Sequence, residues 1–321
     1  MNRLRAFREI EGINQEQLGE ILGISASMVS AIEAGRRELT APLSLLQYDQ
    51  PRFALPSMSE PLHRFRASTP VNARKRAHEL VRLAGEVFGE LRARTPRTPD
   101  TIIEQRIKAD DLNELASETR CLLQHEDSGP IQNLTAAIER AGVCIIPITG
   151  LQGVDGLSSW VNGIPVIGLN PAVPGDRFRL TLAHELAHLI RHVRRSDSTE
   201  PEANQMASAL LFPAADFEAA MPERPQLKDF VRLKTAWGVS VAALVYRAHD
   251  TGIIADQRYR AIQIQMSKWN RQEPAHFDPV HGTLFTKLVE VNGGIITVAK
   301  TIGVNPSHLS LLTNWRHLRS A

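Results

Sequence analysis

The chain has 321 residues, enough for two or three domains at roughly 100–200 residues each and for a core that needs no covalent staple. Lys and Arg number 37 against 35 Asp and Glu, and this net +2 excludes a uniformly basic nucleic-acid binder; 43% hydrophobic and 22% charged residues is ordinary globular composition. Cys121 and Cys144 are too few for a disulfide framework or an all-cysteine zinc site, and no apolar run approaches the ~18 residues of a membrane span, so a reducing, cytoplasmic setting without membrane is expected.

In chain order, Leu4, Phe7 and Ile10, then Leu18, Ile21 and Leu22, recur at helical spacing. Gly12 and Gly23 stand where short helices would end in the left-handed conformation. Pro42, Pro51, Pro56, Pro61 and Pro70 then exclude regular helix and read as an extended connector. Residues 71–94 are helical again, with Ala77, Leu80, Leu83, Ala84, Val87 and Leu91 on one side. This stretch is cationic: nine Lys/Arg stand against three Glu between Arg64 and Arg97. Helical patterns recur near residues 111–123 and 130–141. Residues 143–148 form a short buried strand, and Asn162-Gly163 between two apolar runs (156–161 and 164–169) is the preferred two-residue hairpin turn. After Pro174 nearly everything is helical. The pattern is α+β, mostly helical, with one small three-stranded sheet.

The most specific feature is His184-Glu185-Leu186-Ala187-His188 inside the apolar helical run 180–190. Histidines four apart share a helix face, so both imidazoles can chelate one Zn²⁺. The intervening Glu185 lies about 100° around the helix, beside such a site, where it suits a general acid/base. A catalytic zinc needs a third protein ligand. His192 lies about 12 Å from His184 along the axis at ~1.5 Å per residue, too far to share an ion. The better source is the next helix, with Glu202 chosen and Glu200 as the fallback; a capping box from Thr199 to Glu202 is the competing role.

Several pieces taken together resemble the ImmA/IrrE-type zinc metallopeptidases. They are Asp155-Gly-Leu-Ser-Ser-Trp160, the run from Asp176 to His192, Glu202-Ala-Asn-Gln-Met-Ala-Ser-Ala-Leu-Leu-Phe-Pro213, residues 233–240 and residues 269–274. Phe212 and Ala187 are mild departures that touch no ligand. The resemblance implies a zincin-like core, Zn²⁺ on His184, His188 and Glu202, Glu185 as catalytic acid/base, and a protein substrate such as a repressor. The strand at 164–169 is read as an edge on which a peptide could lie, with core packing as the alternative. Tyr246 and His249 are candidates by type for an oxyanion donor, core packing being the simpler reading.

Residues 12–37 have helix-turn-helix grammar: Asn14 caps one helix, Gly23 turns, Ser25 caps the next. Met28, Val29 and Ile32 face inward and leave small side chains for close entry into a major groove. The stretch resembles the XRE-type repressor domain, which implies DNA contacts from Gln15, Ser25, Ala26, Ser27, Ser30, Arg36 and Arg37. Residues 1–40 hold five Arg against six Glu, so Arg3, Arg36 and Arg37 are expected to face DNA while Glu16 and Glu20 face away. Residues 303–312 echo residues 23–32, which makes a second helix-turn-helix-like unit plausible there, with His308 and Arg316 or Arg319 exposed and a packing or dimerisation role favoured over DNA contact.

The expected division is a reader (1–42), a Pro-rich connector with a basic helix (43–99), a zinc peptidase core (100–275) and a C-terminal helical segment (276–321). The expected function is a DNA-binding transcriptional regulator whose zinc endopeptidase cleaves a repressor or antitoxin-like protein, or the chain itself. The alternative is a transcription factor whose zinc is structural or sensory. A homodimer on a DNA operator is expected, because such readers bind paired half-sites.

Overall fold

The computed structural model describes residues 3–40, 46, 55–60, 62–65 (backbone only), 69–103, 111–151, 153–192, 196–269 and 273–315. Most of the connector and the expected cations Arg316 and Arg319 lie outside the described residues. The chain packs as two units that do not follow chain order: residues 1–101, 142–171 and 282–321 form one, and residues 102–141 and 172–281 the other. The hairpin expected inside the peptidase core thus belongs to the unit that carries the reader.

In the first unit, α1 (Arg3–Glu11), α2 (Gln15–Leu22) and α3 (Ala26–Glu33) form a small bundle around Leu4, Phe7, Leu18, Leu22, Val29 and Ile32. Asn14 and Gln17 make a reciprocal capping box at the start of α2, and the Ser25 hydroxyl accepts from Met28 N at the start of α3. The turn is tight enough that a Cβ on Gly19 would come within 2.5 Å of the Ile24 carbonyl oxygen. The bundle is joined to α4 (Val71–Arg94) by a two-pronged ion pair from Arg3 to Glu86. Arg3 is buried and committed to that pair, which corrects the expectation that it faces DNA.

Helix α4 packs on a sheet of four strands, one more than expected, in the order β1 (Leu62–Phe65), β3 (Val154–Val161), β4 (Ile164–Leu169), β2 (Cys144–Pro147). The extra strand comes from the Pro-rich connector and pairs antiparallel with β3. Asn162 and Gly163, at φ 48° and 79°, make the hairpin turn and set the register Val161 opposite Ile164. Because β4 is flanked by β3 and β2, it has no free edge for a peptide, contrary to the sequence expectation.

The C-terminal helices α13 (Leu284–Val291), α14 (Gly294–Ile302) and α15 (Pro306–Thr313) complete this core with Leu288, Val298, Ile302 and Leu309. The echo of the reader is present locally: Gly303 is left-handed at φ 77° and Asn305 caps α15. His308, however, is buried rather than exposed, bonds Glu11 at 2.6 Å and packs on Phe7. This helix pair is packing material.

The second unit is built of helices: α5 (Leu112–Leu122), α6 (Leu134–Arg140), α7 (Gly175–Arg191), α8 (Thr199–Leu211), α9 (Ala214–Ala220), α10 (Leu227–Trp237), α11 (Val241–Asp250) and α12 (Asp256–Ser267). Two buried cations stitch it. Arg120 donates to the carbonyls of Glu126, Ser128, Gly129 and Leu210. Lys234 bonds Asp176 at 2.6 Å and Glu273 at 3.0 Å, while Glu273 also accepts the N–H groups of Val241 and Ala242 that open α11. Asp176, Lys234 and Glu273 all lie in the sequence pieces that carry the peptidase resemblance, so part of that resemblance records a structural clamp. No helix among the described residues is long and apolar enough to cross a membrane.

Candidate functional site

Helix α7 is apolar along Phe178, Leu182, Ala183, Leu186, Leu189 and Ile190, all buried. That packing carries His184, Glu185 and His188 inside with it. The i, i+4 spacing brings the two imidazoles together at ring centroids 4.5 Å apart, with 3.0 Å between their Nε2 atoms.

The carboxylate that meets them is Glu200, not Glu202. Glu200 Oε2 lies 3.4 Å from His184 Nε2, and Oε1 lies 3.4 Å from His188 Nε2. Among the described residues these three are the one group of His, Cys, Asp or Glu whose ligand atoms converge, all within 4.8 Å of one another. The correction has a plain cause. Residues two apart on a helix point about 200° apart, so α8 can aim only one of the two carboxylates at α7's histidines. Glu202 instead accepts from Arg191 Nε at 2.9 Å and lies 3.3 Å from His192 Nε2. The capping box from Thr199 is absent as well, since Ser198 is the cap and Thr199 is already helical.

His192 links the two arrangements: its Nδ1 lies 3.2 Å from Nδ1 of His188. Ring protons follow from this row. Ionised Glu202 must accept from His192 Nε2–H, leaving His192 Nδ1 to accept from His188 Nδ1–H. Neutral His188 then presents the lone pair of Nε2 to His184 and Glu200. The charge state of His188 agrees with this assignment. Burial outweighs the pull of Glu200 and holds the His188 imidazole down to about pKa 4, so it is neutral at pH 7. Burial also lowers His192 against the opposing pull of Glu202. Burial would raise Glu200, but its contacts with His184 and His188 win and hold it well below the carboxylate range.

The fit to a metal can be checked on distances. Nitrogen and oxygen ligands at about 2.0–2.1 Å in tetrahedral array have edges of about 3.3–3.4 Å. The two Nε2 atoms lie 3.0 Å apart, and each lies 3.4 Å from a different oxygen of Glu200, so the carboxylate faces both imidazoles at ligand-edge distance. Glu200 Oε2 is enclosed and accepts no well-formed hydrogen bond, as a ligand oxygen awaiting a cation would. Two imidazole nitrogens and one carboxylate are a donor set suited to Zn²⁺.

Tyr246 is 59% exposed, and His249 pairs with Asp256 at 2.7 Å while stacking on Tyr259. Neither is a core residue.

In the reader, Ser25, Ala26 and Ser27 at the start of α3 are exposed, as are Arg36 and Arg37; Ser30 is half-buried. Gln15 is committed elsewhere, its amide donating to Glu33 at 2.9 Å. Glu33 also takes both prongs of Arg8, at 2.6 and 3.0 Å. It therefore locks the end of α1, the start of α2 and the end of α3. Nothing in the sequence marks Glu33 for this role.

A helix-turn-helix domain joined to a peptidase-like domain bearing a histidine–carboxylate cluster is the class these features define. Residues 4–44 match the helix-turn-helix family model, and residues 138–249 match the Peptidase M78 model, described as an IrrE N-terminal-like domain. The two matched segments stand in the order the sequence pieces implied, an XRE-type helix-turn-helix followed by an ImmA/IrrE-type domain. No curated protein matches the chain significantly.

Proposed function

We propose that this protein is a DNA-binding regulator whose IrrE-like domain is a zinc-dependent endopeptidase, with His184, His188 and Glu200 holding the metal. The observation that carries the reading is the convergence of two imidazole nitrogens, 3.0 Å apart, on a carboxylate whose oxygens each lie 3.4 Å from one of them. Bound there, zinc would act as a Lewis acid, polarising a peptide carbonyl and activating water. The protein's own residues do the rest. Glu200 supplies the negative charge and His188 the neutral nitrogen, while Glu202, Arg191 and His192 fix the His188 ring and its tautomer. Glu185, fully enclosed on the same helix, takes up a proton at its carboxylate and returns it to the leaving amine.

The substrate class is a repressor or antitoxin-like protein, or this chain cut within its Pro-rich connector. The reader docks the start of α3 into a major groove through Ser25, Ala26 and Ser27, with Arg36 and Arg37 on phosphates and two chains on paired half-sites. The alternative of a purely structural zinc leaves Glu185 without a task.

The test is incubation of the full chain with zinc, alone and with a neighbouring-gene helix-turn-helix protein, followed by mass spectrometry of fragments. Wild type is expected to produce fragments, and Glu185→Gln to retain zinc while cutting about 10²–10⁴-fold more slowly. Identical fragmentation by both chains would remove the peptidase.

A further inference from the structure

On α7, Phe178, Arg179 and Leu182 line a cavity of about 460 Å³ with Gln132, Trp237 and Phe277. It lies on the face away from the histidines: Leu182 and His184 are about 200° apart on the helix, and Arg179 and His188 about 2.5 turns. The volume is that of a small-molecule site, mostly apolar with few polar groups. Among the described residues no Asp or Glu lines it.

Arg179 is the unusual member. One Nη donates to the Ile131 carbonyl, while Nε is enclosed with no acceptor. Among the described residues no carboxylate pairs with it. The charge that acts on it is the like charge of Arg120, itself held by four carbonyls. Burial first, and Arg120 second, push the Arg179 guanidinium down to about 10, which still leaves it cationic at pH 7. A half-buried guanidinium with one carbonyl partner and an enclosed, unbonded Nε is poorly compensated, and a ligand anion removes that penalty.

The surroundings are shaped to admit the side chain. A Cβ on Gly238 would approach Arg179 Cδ to 3.2 Å and Nε to 3.3 Å. Ala275 in the lining holds φ 55°, a left-handed backbone that alanine rarely adopts.

We propose that this cavity binds a small organic anion, a carboxylate or phosphate monoester on a flat apolar body, with Arg179 as counter-charge and Phe178, Trp237 and Phe277 as walls. Arg179 and His184 sit on one helix, about 7.5 Å apart along its axis. Occupancy therefore bears on the helix that carries the histidines; that regulatory consequence rests on the peptidase reading, whereas the binding does not.

The experiment is thermal unfolding of the full chain with benzoate, phenyl phosphate and uncharged benzamide. A saturable rise of about 2–4 °C is expected with one or both anions and none with benzamide. Arg179→Gln removes the rise. Arg179→Lys, which keeps the charge but not the fork, covers the case in which Arg179→Gln does not fold, and it weakens the response. No rise with either anion, or an equal rise in wild type and the folded variant, overturns the proposal. Proteolysis is not part of the readout, so failure here and failure of the peptidase reading are separate results.

Discussion

In the reader, most charged side chains of α1–α3 already have a protein partner: Arg3 has Glu86, Arg5 has Glu9, Arg8 has Glu33, and Glu11 has His308. In α7 and α8 the polar atoms of His184, His188 and Glu200 instead converge on one another. The first arrangement is neutral and self-contained, so its shape carries the recognition, and attraction to phosphate is left to Arg36 and Arg37. The second concentrates acceptor atoms in a buried place, which is stable only with a proton or a cation among them. Charges paired one to one hold a bundle together, and donor atoms that converge on one point build a site.

Breaking the satisfied side should cost stability before function. Arg3→Ala leaves Glu86 enclosed without a partner and is expected to destabilise the chain by about 3–5 kcal/mol. It should leave the salt dependence of DNA binding unchanged; a reduced slope would put Arg3 on phosphate after all. Glu79 on α4 probes a carboxylate that the fold leaves only partly satisfied. Burial, helped by Glu9 and opposed by Arg82, raises it to about 7 from the usual 4.5. Its protonated form therefore contributes stability fully below about pH 4.5, and this is lost as pH rises through about 7, some ~3 kcal/mol in all. Glu79→Gln should unfold later than wild type at pH 8 and lose that advantage at pH 4; an advantage independent of pH would contradict it. The smallest effect belongs to the exposed cations. Arg36→Ala and Arg37→Ala should each lower the slope of log K against log salt by about 0.9 with no loss of thermal stability.

What was legible in the sequence depended on how local the cause was. His184 and His188 were readable because i, i+4 geometry needs only the helix itself. The same holds for Asn14, Gly23 and Ser25 in the reader, and for the Asn162-Gly163 turn. The choice between Glu200 and Glu202 depends on how α8 is rotated against α7, which spacing does not encode. Arg3 looked free because Glu86 is 83 residues away. The C-terminal echo shows the limit best. Gly303 and Asn305 specify a turn and a capped helix as Gly23 and Ser25 do, but burial of His308 by α1 is a tertiary fact. The strand at 62–65 was hidden by its prolines and by having only β3 as a partner. Arg179 gave no signal, since one arginine on an amphipathic helix reads as a solvated charge.

The central claim, a metal held by two histidines of α7 and the first carboxylate of α8, is tested most directly by zinc content. Elemental analysis of the purified full chain should give one zinc per wild-type chain and none for His184→Ala or Glu200→Ala. Glu202→Ala, which removes only the anchor of the His192–His188 row, should still bind zinc but about 10–100-fold more weakly in a chelator titration. Full zinc content in Glu200→Ala together with none in Glu202→Ala would contradict the assignment.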